Sequence, residues 1–475
     1  MPLIIGAKSA TATGYAVDNS CRFNSPDTPY LNYTPSAGDR DKFTFSCWVK
    51  RGLLAANQCL FGVLSGGNYS EMYFATGGTI MWDEYPGSMV GRLETNRLFR
   101  DCSAWYHLVF VYDSANATAG DRMRLYVNGV EETSFSTDTQ PNQYQDSYFN
   151  SNVVHYVAKV STEYFDGYMA EVCFIEGSAL TPTSFGEFDE DSPTIWKPKS
   201  ADDISELTFG TNGFYLNFED SAELGTDVSG NSNDLTEVNL DATDQATDTP
   251  TNNFCTMNPI VGLQGNPSYT LFSQGNTIVE ECAAGTTNEW RAYYGTMGVS
   301  SGKWYWEVEC TSAWGATICQ RHGICDVNQL VQQEDESSTD LSRAWGWRNP
   351  GGYRNNNTDT DDSSYGSYTT GDILQFALDL DNNKLYFGKD GTWEDSGDPT
   401  SGATGTGAVS ITTGYTYTPL DERLYGSDNF SANFGNPSFT VSSGNADGNG
   451  YGNFEYAPPS GYYALCTKNL GAYGG

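Results

Sequence analysis

Two stretches of alternating side chains, Gly302–Glu309 and Gly371–Phe387, constrain this chain more than any other feature. In the first, Trp304, Trp306, Val308 and the following Cys310 fall on one face, with Tyr305, Glu307 and Glu309 on the other, the period-two pattern of a half-buried strand. In the second, Leu374, Phe376, Leu378 and Leu380 repeat the pattern. Asp381, Asn382 and Asn383 then supply residues tolerant of left-handed dihedrals where the chain must reverse into Leu385, Tyr386 and Phe387. A chain built this way is expected to be all-β. Gly 51, Tyr 31, Phe 24 and Trp 11 suit turns and strands rather than long helices, and 475 residues suffice for two to three domains, each with its own core.

A formal net charge of −36 excludes nucleic acid and anionic membrane surfaces as partners, because neutralising phosphates takes clustered Lys and Arg. No apolar stretch reaches membrane-spanning length, so no membrane insertion is expected. The opening Met1–Ala7 lacks the basic start and apolar run of a secretion signal, which predicts synthesis in a cytoplasm without a signal peptide. The eleven cysteines are odd in number and form no Cys-x-x-Cys pair. Several, such as Cys47 and Cys173, sit inside apolar strand patterns, and they are expected to be mostly reduced.

Along the first 190 residues, strand patterns recur at Phe43–Val49, Trp105–Asp113, Arg124–Val130 with its Asn128-Gly129 turn, and Tyr164–Val172. This series resembles the laminin-G-like, concanavalin A-like jelly roll over about residues 15 to 190. From Glu187 to Ile260 the composition shifts: sixteen acidic residues face only Lys197 and Lys199, a balance of −14. Residues 191–260 are expected to form an acidic connector, partly packed, with Phe214–Phe218 as a strand available to a neighbouring sheet. Residues 261–475, with the opening motifs plus Asn433–Phe439 and Ala457–Leu465, resemble the SPRY β-sandwich. They depart from it in the long polar insert Asp326–Thr370.

The order jelly roll, acidic connector, SPRY-like sandwich is similar to a type of structural protein of tailed bacteriophages. That resemblance implies a non-enzymatic protein of the virion surface, a tail fibre or adsorption appendage that binds host-surface glycan or protein, or mounts other virion parts. It also implies other virion proteins as partners and a homo-oligomer, often a trimer in fibres. A capsid decoration protein is the alternative within this class. From other classes, the alternatives are a concanavalin A-like glycan-acting enzyme and a secreted lectin.

The residues give little support to catalysis. Retaining glycosidases of this fold need two carboxyl groups about 5 to 5.5 Å apart, supplied by a Glu-x-Asp-x-x-Glu strand. The nearest string, Glu187–Asp191, has Ser192 where the second Glu should stand. Cys319, His322 and Cys325 lack the fourth ligand of a zinc site. Calcium suits the oxygen-rich loops better. Asp227, Ser229, Asn231, Asn233 and Asp234 are the candidate ligands, with an Asx-rich turn that needs no ion as the competing reading. Asp379, Asp381 and Asn383 superficially match an EF-hand opening and are read as a plain hairpin. For glycan or peptide binding the candidates are Tyr353, Arg354 and Asn356, after two tryptophans (Trp345, Trp347) assigned to the core, and Trp82, Asp83 and Tyr85, equally explicable as an edge turn.

Overall fold

The computed structural model describes residues 4–5, 15–260, 270–281, 291–312, 320–330, 343–356, 358–423 and 429–474. Cys282, Cys319, residues 331–342 and 357 of the polar insert, and most of the opening heptapeptide lie outside the described residues. The chain is β almost throughout, as the alternation predicts. It divides into two compact units, Ala12–Asn252 and Asn253–Gly475 with Met1–Thr11.

In the first unit two antiparallel sheets face each other. One runs, in spatial order, Val130–Glu131, Met123–Val127, Trp105–Asp113, Lys42–Arg51, Gly167–Glu176, Ser20–Phe23 and Gln245–Ala246, with Phe214–Leu216 also pairing Gly167–Glu176. The other runs Phe135–Thr139, Gly91–Thr95, Ile80–Tyr85, Asn68–Phe74, Gln58–Ser65, His155–Val157, Tyr30–Tyr33 and Thr236–Val238. Aromatic rings from both fill the space between them. Phe45 stacks on Phe61 with centroids 4.7 Å apart, and Phe61 stacks on Phe149 at 4.8 Å. Such offset pairs add to the area term that drives burial.

The acidic stretch is not a body of its own. Boundaries at 190 and 260 give way to a single division after Asn252, because residues 191–252 complete the first sandwich. Phe214–Leu216, Thr236–Val238 and Gln245–Ala246 each add a strand. Phe185, Ile204 and Phe209 pack on Val109, Val111, Cys173 and Ile175, which point outward from the first sheet. Trp196 packs near Trp48 and Trp105 on the same sheet. Its indole N–H donates to Nδ1 of buried His107 at 3.0 Å, and His107 Nε2 lies 2.9 Å from Ser46 Oγ. Burial pushes the His107 imidazole down to about 3, so the ring is neutral at ordinary pH. The stretch ends in a buried ion pair. Lys50 Nζ lies 2.6 Å from Asp248 Oδ2, both side chains almost wholly shielded from water, and the Trp105 indole donates to Asp248 Oδ1 at 2.9 Å.

The second unit carries a larger sheet in the order Thr270–Ser273, Ile278–Glu281, Asn429–Asn433, Lys303–Ser312, Ile373–Asp379, Lys384–Lys389 and Thr392–Trp393, with Val409–Ser410 and Tyr463–Ala464 attached. The smaller one runs Arg291–Tyr294, Tyr417–Arg423, Gln320–Asp326, Ala344–Asn349, Tyr353–Asn355 and Thr358–Thr360. Their shared core holds Trp304, Trp306, Trp345, Trp347, Phe376 and Phe387. The hairpin forms as expected, with Asp379 opposite Lys384 and Asn383 at φ 57° in the turn. The strand Lys303–Ser312 differs from expectation: it is buried on both faces. Tyr305 lies under Phe454, Tyr462 and Cys466, and the Glu307 carboxylate accepts from the backbone N–H groups of Glu455 and Tyr456 at 2.9 and 2.8 Å. A segment arriving from 150 positions later is invisible to a periodicity argument.

Removing one partner of a buried ion pair leaves an uncompensated charge, which costs about 3–5 kcal/mol, whereas replacing both with apolar groups is often neutral. Asp248→Ala is expected to lower the unfolding free energy of the first unit by about that amount, and Lys50→Met with Asp248→Leu to restore most of it, read by denaturant titration.

Candidate functional site

The first unit presents one sheet face to the acidic stretch, and the outward face of the other sheet is where half-exposed side chains collect. The strand Asn68–Phe74 alternates: Met72 and Phe74 enter the core, while Tyr69 and Glu71 stay half-exposed on the outward face. On the neighbouring strand Ile80–Tyr85, Trp82 enters the core and Asp83 and Tyr85 point outward. Register then decides who meets whom. Glu71 stands opposite Asp83, and Asp83 opposite Arg92. Tyr69 stands opposite Tyr85, their rings stacked with centroids 4.8 Å apart and 5° between planes.

A short hairpin, Lys159–Val160 with Glu163–Tyr164, crosses the same face and bounds it. Val160 packs on Cys59 and Tyr73. The crossing needs Gly62 beneath it, since a Cβ there would stand 2.7 Å from the Val160 Cβ. The result is a trough with tyrosines at one end, half-exposed Glu71 and buried Asp83 on its floor and Glu163 on the hairpin side.

Its charges are arranged unequally. Arg92 grips Asp83 with two parallel bonds, Nε to Oδ1 at 2.6 Å and Nη2 to Oδ2 at 2.5 Å, the fork geometry that fixes a carboxylate in place. Glu163 accepts from Asn57 Nδ2 at 2.9 Å. The Glu71 carboxylate makes no hydrogen bond to any described residue. Burial first, then the Glu163 and Asp83 carboxylates, push it up to about 7 against the pull of Arg92. Farther along the face, Lys159 Nζ sits 3.8 Å from the Tyr30 ring centroid and 5.3 Å from those of Tyr156 and Tyr164, a cation–π arrangement.

Of the ligand candidates read from sequence, Asp83 and Tyr85 lie in this trough. Trp82 does not: it is buried in the core, with its indole N–H donating to Glu84 Oε1 at 2.9 Å. The segment is an internal strand rather than an edge turn, because Gly91–Thr95 and Phe135–Thr139 lie outside it. In the second unit Tyr353, Arg354 and Asn356 do not converge. Tyr353 packs on Tyr365 with centroids 5.0 Å apart, Arg354 is buried, and Asn356 occupies a hairpin turn at φ 48°. Successive residues of a strand point to opposite faces.

The calcium candidates do come together, but around protein donors. Asp227 Oδ1 accepts from the backbone N–H groups of Tyr215 and Ser229, both at 2.9 Å, and Oδ2 from Ser229 Oγ and the Asn233 N–H. Asp234 Oδ1 accepts from the Asp227 N–H at 3.0 Å. Asn231 and Asn233 spend their amide donors on the carbonyl of Gly213. Carboxylate lone pairs engaged this way behave as an Asx turn. Among the described residues no group of three or more His, Cys, Asp or Glu is placed to hold a metal ion. His322 lies 2.9 Å from Asp421 inside the second core, and Cys319 is outside the described residues.

The residues missed by sequence reading were Tyr69, Glu71, Arg92 and Glu163. The alternation of Tyr69 and Glu71 with Ser70 and Met72 was a legible signal for an outward face. Their meeting with Asp83 and Arg92 was not, since it depends on register.

Residues 26–184 match the concanavalin A-like lectin/glucanases superfamily. No curated protein matches the chain. Among solved structures, the SPRY domain of human HERC1 is similar at 16% identity, covering 35% of this chain and 95% of that one with a TM-score of 0.26. A heptameric SAP-like pentraxin from Limulus polyphemus is similar at 16% identity, with 36% and 80% covered and a TM-score of 0.27. A putative carbohydrate binding protein from Bacteroides ovatus is similar at 17% identity, with 48% and 62% covered and a TM-score of 0.34.

Two outcomes follow from these geometries. Calcium added to dialysed protein is expected to leave the melting temperature unchanged, whereas Asp227→Ala, which orphans several buried donors, lowers stability by about 1–3 kcal/mol in calorimetry. Glu71, with a folded value near 7 above its ordinary 4.5, binds more protons folded than unfolded between those values. The Glu71 contribution to wild-type stability therefore falls as pH rises from about 4.5 to about 7 and is flat beyond. Denaturant titration across that range is expected to show Glu71→Gln gaining on the wild type up to pH 7 and not after.

Proposed function

We propose that this protein is a non-enzymatic component of a virion surface, a tail fibre or adsorption appendage that binds host-surface glycan through the outward trough of its first sandwich. The observation that carries the reading is the stacked Tyr69–Tyr85 pair beside Glu71, Asp83 and Arg92. Sugar rings stack on aromatic faces, and their hydroxyls need directed acceptors and donors next to that platform. The match of residues 26–184 to the concanavalin A-like lectin/glucanases superfamily supports a binding role.

The non-enzymatic part rests on Asp83. Standing directly opposite Glu71, it is buried with both oxygens held by Arg92, and Glu163 is tied to Asn57, so neither is placed as the free partner a glycosidase pair requires. The virion assignment rests on the order of jelly roll, acidic stretch and SPRY-like sandwich, with the chain made in the host cytoplasm and assembled as a homo-oligomer, a trimer in a fibre, with other virion proteins.

Purified protein is expected to bind at least one polysaccharide in a panel of bacterial surface glycans. Tyr85→Ala should weaken that binding about tenfold, the equivalent of about 1.4 kcal/mol and of one lost aromatic contact, while the protein still unfolds in one cooperative transition, its midpoint lowered only by the loss of the Tyr69 stack. Antibody labelling of purified particles is expected on the tail. An empty panel, or binding indifferent to Tyr85, overturns the glycan reading, and absence from particles overturns the virion one.

A further inference from the structure

We propose that the trough selects saccharides carrying a free ammonium, the amino-sugar class, over neutral and anionic ones. This rests on the glycan-binding reading above and names the ligand chemistry of that same site.

The first support is the unequal use of its carboxylates. Asp83 is spent on Arg92 and Glu163 on Asn57, whereas half-exposed Glu71 has no hydrogen-bonding partner for its carboxylate among the described residues. Its carboxylate is the one of the three with neither oxygen engaged by a described residue. The second support is charge. Glu71, Asp83 and Glu163 outnumber Arg92, so a uronate or sialate carboxylate entering the trough meets like charges, which specificity by repulsion exploits. An ammonium instead meets Glu71 beside tyrosine rings. The third support is a precedent on the same sheet face: Lys159 already holds its ammonium 3.8 Å from the Tyr30 ring. Tyrosines on this face already accept a cation.

The spacing fits. Asp83 and Tyr85, like Glu71 and Tyr69, are two residues apart on one strand face, about 7 Å at strand rise, the span of one pyranose. A ring lying on the tyrosines therefore brings its ammonium substituent to Glu71.

The test is calorimetric titration of the full chain at pH 7, where Glu71 is at its midpoint and a bound ammonium favours its ionised form, with a glucosamine tetrasaccharide, its N-acetylated counterpart and an oligouronate. The wild type is expected to bind the glucosamine oligomer at least about tenfold tighter than the acetylated one and the oligouronate not measurably. Glu71→Gln should erase the preference while keeping the acetylated oligomer's affinity, and Tyr85→Ala should weaken both. Glu163→Gln, which leaves Glu71 in place, should reduce the preference without erasing it and serves where Glu71→Gln fails to fold. If the acetylated or uronate oligomer binds best and Tyr85→Ala abolishes it, the ammonium inference falls and glycan binding stands. A preference untouched by both carboxylate variants also overturns it. If none of the three binds, the inference falls, and the wider glycan panel decides separately whether the trough takes sugars at all.

Discussion

An ammonium held away from water, Lys50 against Asp248, fixes where the acidic stretch of this chain goes. A buried lysine without a counter-ion is too costly to keep charged, so the central strand that carries it, Lys42–Arg51, requires a carboxylate from elsewhere. Asp248 arrives from nearly 200 positions downstream, and with it come the strands and the apolar side chains between residues 185 and 246. Such a pair adds little to net stability beyond what well-packed apolar residues would give. What it adds is placement.

Placement has a functional consequence. Once Phe185, Ile204 and Phe209 lie on the outward valines and Cys173 of the first sheet, that face is core and not surface. The outward face of the other sheet keeps its half-exposed tyrosines and carboxylates, and the crossing hairpin over Gly62 turns it from a flat sheet into a bounded trough. The negative charge that makes the stretch look like a solvated linker is carried largely by positions exposed to water, while the apolar ones between them do the packing. The same logic applies in the second unit. There Glu307, which alternation places on a wet face, is instead the acceptor for two backbone N–H groups of a returning loop.

Much of the fold was legible from residues alone. Alternation at 43–49, 105–113, 304–310 and 374–380 marked strands that the structure contains, and Asn128-Gly129 and Asp381–Asn383 marked their turns. The candidate site was half legible. Asp83 and Tyr85 were singled out because carboxylate and aromatic stand together in sequence, and the fold puts them on one outward face, whereas the tryptophan that precedes them in that motif, Trp82, belongs by the same alternation to the opposite, core face. Tyr353, Arg354 and Asn356 failed for that reason too: neighbours along a strand cannot line one pocket.

The sequence by itself determined that this chain is β, that its sandwiches have aromatic cores, and that it carries a net charge of −36, because periodicity and net charge are local or additive properties. Only the tertiary structure decided which of several outward faces meets water, and that Glu71, Asp83 and Arg92 form one row with Tyr69 and Tyr85 beside it. Those outcomes depend on strand register and on which distant segment covers which sheet. Both are set by long-range pairing such as that of Lys50 with Asp248, which no window along the chain contains.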